Sequence, residues 1–258
     1  AARFLDYWTE LSHDPLSAPL KNRVEAISPL PAGPPPAGTS VLFSPRNSLD
    51  ALDWYADLAL NATDGLFMTF AFGMNDVFKN VYRNGRARFR LALLDKKTRS
   101  MAPGVQRDAE EAEIQALRNM PENVFAIGDF IRTNQIDGWV KERLNKLNSH
   151  VRYVHNKFML VDPLTDDPIV VAGSANFSDA STRRNDENMV ITRGNKRVAD
   201  VYLGEFMRLY SHHAFRESLQ WRKADDPPKP LRTDDWWRDY FAQTPRATRR
   251  RFFARSQA

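Results

Sequence analysis

The sequence contains no cysteine among its 258 residues. Disulfide bonds, thiolate zinc sites and a cysteine nucleophile are therefore excluded. The sequence also lacks any run approaching the ~20 apolar residues that a membrane-spanning helix needs. It opens without an initiator methionine and without a secretory or transit pattern. We therefore predict a soluble or peripheral chain, and its compartment stays open because a chain without cysteine fits any compartment.

Charge of one sign is only slightly in excess: 37 lysines and arginines stand against 32 acidic residues, which leaves a formal charge of +5. Much of the excess lies in the stretch "RATRRRFFAR", residues 246–255. This arginine run can bind phosphate groups of nucleic acid or lipid, but we interpret it as a solvated, partly frayed terminus. The preceding aromatic cluster "WWRDYF", residues 236–241, is interpreted as a clasp packed on the domain.

The order of apolar and polar segments predicts the fold class. Strand-like runs alternate with helical ones from residue 40 onwards, which favours an α/β fold. We predict an αβα sandwich with a central mixed β-sheet. Residues 27–38, "ISPLPAGPPPAG", contain five prolines and two glycines and predict an extended linker. The resulting division is a terminal helix over 1–26, a Pro-rich linker over 27–39, a main domain over 40–224 and a tail over 225–258.

The first apolar segment resembles a later one. Residues 1–11, "AARFLDYWTEL", have apolar residues at helical spacing, and so do residues 199–209, "ADVYLGEFMRL". Five positions coincide when the two are superposed: Ala1 with Ala199, Phe4 with Tyr202, Leu5 with Leu203, Trp8 with Phe206, and Leu11 with Leu209. Two amphipathic helices can match by chance. If the match reflects a repeat, the chain begins in the last helix of one repeat and contains a second repeat whole.

Chemically active side chains are concentrated between residues 150 and 190. The run "VRYVHNKFMLVD", residues 151–162, predicts a strand in which His155 and Lys157 share one face. The turn-rich "DPLTDDP" then reverses the chain into "IVVAGSANFS", residues 169–178, as the second arm of a hairpin.

In that second arm, Ser174 and Asn176 also share a face, and Gly173 permits a close approach to it. Lys157, Ser174 and Asn176 can together donate hydrogen bonds to phosphoryl oxygens, while His155 attacks phosphorus. The set therefore predicts a site for a tetrahedral phosphoryl anion.

Acidic residues complete the predicted site. Asp162 has the opposite strand parity to His155, so we predict a structural role for it behind the site. An attacking imidazole needs its other N–H held by a carboxylate. We choose Glu187, in "RRNDENMVI", with Asp186 as the competing acid, and Asn188 can add a hydrogen bond.

These residues resemble the phospholipase D superfamily: "HNKFMLVD" fits His-x-Lys-x4-Asp, and "GSANFS" and the acid of "NDEN" follow it. The resemblance covers roughly residues 40–215 as one complete repeat and departs from the usual pattern only in a longer loop between Asp162 and Gly173. It implies cleavage or exchange of phosphodiester bonds through a covalent phosphohistidine, without metal or cofactor. It also implies the residue roles, with His155, Lys157, Asp162 and Glu187 as the catalytic set and Ser174 and Asn176, with Lys157, binding substrate.

The resemblance further implies two facing His-x-Lys motifs, of which this sequence has one. The other histidines, His13, His150, His212 and His213, begin no second motif. The partner motif then comes either from a homodimer or from a preceding repeat of a longer protein. The likeness of residues 1–11 to 199–209 favours the second explanation.

The substrate class is left between two enzymatic alternatives and one binding function. A phospholipase D-type reaction needs an apolar approach surface, for which Phe70, Phe72, Met74 and Phe78 are available, although we interpret them as core. A metal-independent nuclease needs a basic groove, which is available from Arg183, Arg184, Arg193, Lys196 and Arg197. The third alternative is a non-catalytic phosphate-binding or scaffolding half. We place the phospholipid reaction first.

Overall fold

The computed structural model describes residues 1–99, 103–128, 154–220 and 233–255. Within these ranges the chain forms seven strands and eight α-helices. The strands are β1 (Gly38–Ser44), β2 (Gly65–Phe70), β3 (Phe89–Leu94), β4 (Asn123–Ile127), β5 (Phe158–Val161), β6 (Ile169–Gly173) and β7 (Glu187–Arg193). The helices are α1 (Ala2–Ser12), α2 (Ser17–Ile27), α3 (Asp50–Leu60), α4 (Asp76–Asn84), α5 (Val105–Arg118), α6 (Asp179–Arg183), α7 (Lys196–Gln220) and α8 (Pro245–Phe253), with a short 3-10 helix at Arg238–Tyr240.

All seven strands belong to one mixed sheet in the order β1-β7-β6-β5-β2-β3-β4. Strands β2, β3 and β4 are parallel. The β5–β6 hairpin is antiparallel and joins the sheet beside β2, and β7 and β1 extend the antiparallel half. The predicted hairpin and mixed sheet are therefore confirmed.

Both faces of the sheet are covered, as the continuous apolar run of β2 indicates. Leu66, Met68 and Phe70 point into a core that α3, α4 and α5 close. Phe67, between them in sequence, points into the opposite core with Phe158 and the residues of α7. The architecture is thus the predicted αβα sandwich.

The first 27 residues form two helices rather than the single one predicted, and α1 buries a different face from the expected one. Leu5 and Trp8 are 65% and 69% exposed, whereas Tyr7 is buried. The Tyr7 ring stacks on Phe43 of β1, and its hydroxyl donates to the carbonyl oxygen of Ser44 at 2.5 Å. Periodicity predicts the helix correctly, but the aromatic partner on β1 decides which side packs.

The C-terminal segment is more ordered than its charge indicates. Residues of the arginine run form α8, whose Phe252 is buried against Phe67 and Phe89. The predicted fraying is therefore wrong for residues 245–253, whereas Arg246 and Arg249 are solvated as predicted. The predicted clasp is also misplaced, because Trp236 and Phe241 of the aromatic cluster are largely exposed and α8 packs instead.

Two further points concern the extent of the helices and strands. None of the helices in the described ranges is long and apolar enough to cross a membrane. The sequence "GWVKERLNKL", residues 138–147, predicts a short helix, but it lies outside the described residues. The first three residues of the strand predicted over 151–162 lie outside them as well.

Candidate active site

The candidate site lies at one edge of the sheet, where several strands begin or end. His155 and Lys157 directly precede β5, and Ser174 directly follows its antiparallel neighbour β6. Glu187 begins β7, which is antiparallel to β6. Antiparallel pairing places the start of one strand beside the end of the next, so residues distant in sequence converge at this edge.

The strand that carries the histidine is shorter than predicted, since β5 begins only at Phe158. The residues just before Phe158 are instead held by the hydroxyl of Thr69, in the adjacent strand β2. It donates to the carbonyl oxygen of Asn156 at 2.7 Å and accepts the backbone N–H of Phe158 at 3.1 Å. His155 is exposed and Lys157 is buried, so strict strand alternation does not describe this segment.

Lys157 folds back over the segment. Its ammonium group donates to the carbonyl oxygen of His155 at 2.7 Å. Burial lowers the pKa of Lys157, and the negative charge of Glu187 partly opposes this shift. The lysine therefore places a buried positive charge against the backbone of His155.

The imidazole of His155 is held in a form suited to attack. Burial and the neighbouring Lys157 charge lower its pKa, while the Glu187 charge raises it. The ring of Phe72, which is 46% exposed, contacts His155 edge to face with 5.7 Å between ring centroids. A lowered pKa keeps the imidazole neutral near pH 7, and a neutral imidazole has the free lone pair that a nucleophile needs.

Ser174 and Asn188 form a reciprocal pair across β6 and β7. The Ser174 backbone N–H donates to the Asn188 carbonyl oxygen at 2.9 Å, and the Ser174 hydroxyl accepts the Asn188 backbone N–H at 3.0 Å. Gly173 makes this approach possible, because a Cβ atom there would lie 2.0 Å from the Asn188 carbonyl oxygen. The close approach predicted at Gly173 is thus an approach of two backbones.

Asn176 and Glu187 are joined through a residue that the sequence did not indicate. The buried hydroxyl of Ser181 accepts the Asn176 backbone N–H at 3.1 Å and lies 3.5 Å from a Glu187 carboxylate oxygen, to which it can donate. Asn185 also donates to that oxygen, at 3.3 Å. The side-chain oxygen of Asn176 is buried without a hydrogen-bond partner. The network fixes the backbone of the "GSANFS" loop relative to the carboxylate.

Between the two competing acids, the electrostatics favour Glu187. Its charge acts on the pKa values of both His155 and Lys157. Asp186 is exposed, and its charge raises the pKa of Tyr7, although burial is the larger cause of that shift.

Asp162 lies at the other end of β5 from His155. Its carboxylate accepts the backbone N–H groups of Thr63, Asp64 and Gly65 at 2.7–3.0 Å, and the Thr63 hydroxyl at 3.1 Å. These contacts hold the turn between α3 and β2. Asp162 thus stands apart from the catalytic set in which the resemblance places it and makes the kind of structural contact that its parity predicts.

The side chains considered for substrate recognition separate into buried and exposed ones. Phe70, Met74 and Phe78 belong to the core, which leaves Phe72 as the exposed aromatic beside His155. Two of the basic residues considered for a groove are paired with acids of the hairpin loop: Arg193 binds Asp167 through two nitrogens, and Lys196 binds Asp166.

Sequence reasoning missed the supporting residues Thr69, Asp95 and Ser181. Asp95 accepts the backbone N–H of Val154 at 3.1 Å and so fixes the start of the His155 segment. Thr69 had a signal, since it is a single polar residue within the apolar run "GLFMTF". Asp95 and Ser181 had none, because their partners are distant in sequence or are backbone groups. Within the described residues, no group of three His, Asp or Glu side chains is arranged to hold a metal ion.

Comparisons with known proteins place these features in context. A family model described as the phospholipase D-like domain of cardiolipin synthase matches residues 93–210. No curated protein sequence matches the chain.

Several solved structures are similar to it. NucT from Helicobacter pylori is 16% identical with a TM-score of 0.47, over 68% of this chain and 96% of that one. Nuc from Salmonella typhimurium, described as a phospholipase D family member, is 17% identical with a TM-score of 0.44, over 68% and 94%. Polyphosphate kinase from Porphyromonas gingivalis is 13% identical with a TM-score of 0.42, over 75% and 27%.

Proposed function

We propose that the chain, whose residues 93–210 match the phospholipase D-like family model, supplies one half of a metal-independent phosphodiesterase that acts through a phosphohistidine. One observation carries the proposal: His155, the buried Lys157 ammonium, Ser174, Asn176 and Glu187 converge at a single edge of the sheet. A nucleophile, a fixed cation, polar donors and an orienting carboxylate together fit an in-line attack on a phosphodiester.

In the first step the imidazole lone pair of His155 forms a bond to phosphorus. The phosphorus–oxygen bond to the leaving group breaks, and the leaving oxygen keeps the electron pair. Lys157 and the donors of Ser174 and Asn176 stabilise the negative charge on the remaining phosphoryl oxygens. Glu187 stabilises the positive charge that the imidazole acquires.

A poor leaving group must also receive a proton. This half-site contains one imidazole, so the acid comes from the histidine of a second His-x-Lys motif in a partner half. Water, or an alcohol in a transfer reaction, then gives a proton to the partner histidine, which lost its own to the leaving group, and attacks phosphorus while the nitrogen–phosphorus bond breaks. This second step returns His155 to its neutral form and releases the phosphoryl product.

For the substrate we propose a phospholipid. The matching family is described by the name of cardiolipin, which is a phospholipid. Phe72 also presents an exposed apolar ring directly beside His155. Pairing of Arg193 and Lys196 with the aspartates of the hairpin loop weakens the alternative, a basic groove for nucleic acid.

The decisive experiment tests the attack of His155 on phosphorus with a substrate that does not need a proton from a partner half. A p-nitrophenyl phosphodiester has a leaving group that departs without protonation, so His155 alone can be phosphorylated. With chelator present, we expect one equivalent of p-nitrophenolate per chain and a matching mass adduct that is stable in alkali. His155→Ala should abolish both signals, whereas His212→Ala, a control on α7, should retain them.

The same assay ranks the substrate classes. The p-nitrophenyl ester of phosphatidic acid should react faster than the p-nitrophenyl ester of thymidine monophosphate. The reverse order would replace the phospholipid with nucleic acid as the substrate class. Wild-type protein that forms no adduct with either ester would overturn the phosphohistidine proposal and favour a binding function.

A further inference from the structure

An exposed aromatic surface is formed by residues 236–250, which follow the candidate site in the sequence. We call it the aromatic–arginine surface, and it comprises Trp236, Trp237, Tyr240 and Phe241 with Arg238, Arg246 and Arg250. Trp236 and Phe241 are 54% and 64% exposed. Large aromatic side chains that cluster in solvent mark an interaction surface more often than isolated ones do.

This surface is a built structure and not a loose tail. The Arg250 side chain donates to the Tyr240 carbonyl oxygen at 2.7 Å, which ties α8 to the 3-10 helix. Thr244 caps the start of α8 by accepting the Ala247 backbone N–H at 3.2 Å. Phe252 is buried in the domain core and Arg255 binds Asp64, so the unit is fixed to the sheet.

Arginines are interleaved with the rings. The Arg250 guanidinium lies 4.3 Å from the Phe241 ring centroid, and Arg246 lies 5.9 Å from that of Tyr240. Residues 233–255 contain six arginines and three aspartates. Arg246 binds Asp239 and Arg255 binds Asp64, but the four other arginines of the segment still outnumber its two other aspartates. The surface is therefore apolar and carries a net positive charge.

We propose that the aromatic–arginine surface binds the headgroup region of an anionic lipid bilayer. Tryptophan, tyrosine and phenylalanine side chains enter the boundary between headgroups and acyl chains, and arginines at the same depth meet lipid phosphates. A single-stranded nucleic acid would instead need open ring faces for stacking. Here Arg250 covers one face of Phe241, and the rings of Trp236 and Tyr240 meet edge to face.

The surface is separate from the catalytic edge. Phe252 contacts the Gly65 end of β2, whereas Phe72 and His155 lie beyond the Phe70 end of that strand. Bilayer binding thus does not depend on the proposed phosphodiesterase chemistry, and each can fail without the other.

Vesicle co-sedimentation tests the proposal with the full chain. We expect binding to vesicles of phosphatidylcholine with ~30% phosphatidylglycerol, and much weaker binding to phosphatidylcholine alone, because surface potential attracts the arginines. Trp236→Ala/Trp237→Ala/Phe241→Ala should weaken binding by at least about tenfold, since three apolar side chains no longer insert. Arg238→Gln/Arg246→Gln should weaken it by about thirtyfold on anionic vesicles only.

Leu5→Ala/Trp8→Ala is the matched control, because these α1 side chains are at least as exposed as the three side chains removed in the aromatic variant. It should bind vesicles as wild type does, and circular dichroism should show that all variants are folded. No binding to anionic vesicles, or equal losses in the α1 control, would overturn the proposal. Tighter binding of a single-stranded oligonucleotide, lost in the same aromatic variant, would assign the surface to nucleic acid instead.

Discussion

The ammonium group of Lys157 lies 2.7 Å from the carbonyl oxygen of His155, its neighbour two residues earlier. The contact holds a buried positive charge against the backbone of the residue proposed to attack phosphorus. This hydrogen bond gives the buried ammonium group an acceptor when no anion is bound. The flexible side chain can turn another of its three N–H groups towards a phosphoryl oxygen. The two residues therefore act as one unit.

The titration of His155 should report both of its charged neighbours. Because the Lys157 charge lowers the pKa of His155 and the Glu187 charge raises it, Lys157→Met should raise this pKa and Glu187→Gln should lower it. NMR pH titration of the His155 ring protons measures both shifts. Attack needs the neutral imidazole, so a lowered pKa extends the reactive form to more acidic pH and a raised one restricts it.

The backbone amide signals far from the site should match in the three proteins, which shows that both variants are folded. If the pKa of His155 moved in the same direction in both variants, the proposed opposing effects of the Lys157 and Glu187 charges would be wrong.

Ser181 should act as a positioning residue for Glu187. Ser181→Ala removes the hydroxyl that links the Asn176 backbone to the carboxylate, and we expect about a tenfold loss in the rate of His155 phosphorylation. The pKa of His155 should also fall, because a less constrained Glu187 stabilises the imidazolium less.

Ser178→Ala is the control for this prediction. Ser178 caps α6 by accepting the Ser181 backbone N–H, so its loss should lower the melting temperature without changing the His155 pKa. If Ser181→Ala changes only the melting temperature, the positioning role is wrong.

Asp162 should contribute to stability and not to the chemical step. Asp162→Ala leaves the backbone N–H groups of Thr63, Asp64 and Gly65 without their acceptor, and we expect a loss of about 3 kcal/mol in the free energy of unfolding. Urea denaturation measures the loss. Asp166→Ala removes an exposed partner of Lys196 and should leave the unfolding midpoint unchanged. A stable Asp162→Ala protein that no longer forms the phosphohistidine would place Asp162 in the chemistry instead.

Gly173 should tolerate no side chain. A Cβ atom would meet the Asn188 carbonyl oxygen at 2.0 Å, so Gly173→Ala must push β6 away from β7. We expect a loss of at least about 2 kcal/mol in the free energy of unfolding, together with slower phosphorylation of His155. Gly204→Ala, in an open position within α7, should instead stabilise the protein by about 0.5–1 kcal/mol. Equal unfolding midpoints for the two variants would show that the strands can separate without cost.

The strands and helices of the sandwich and the residue types of the site can be predicted from local sequence patterns. Buried strands such as "GLFMTF" and "RFRLALL" are recognisable as nearly continuous apolar runs, because both of their faces pack against helices. His155, Lys157, Ser174, Asn176 and Glu187 were chosen from their chemistry and spacing, and the hairpin that brings the first four together follows from its turn residues. Each of these inferences depends on a local pattern of apolar, turn-forming or polar residues.

Other features depend on contacts between residues that are distant in sequence, and local patterns do not predict them. Tyr7 and not Trp8 packs inward, since Phe43 and the Ser44 carbonyl lie beside it. The arginine run forms a packed helix because the Phe252 ring packs against those of Phe67 and Phe89. The Ser181 hydroxyl can act on Glu187 only because strand pairing places the two side chains within hydrogen-bond distance. No local sequence pattern predicts that contact.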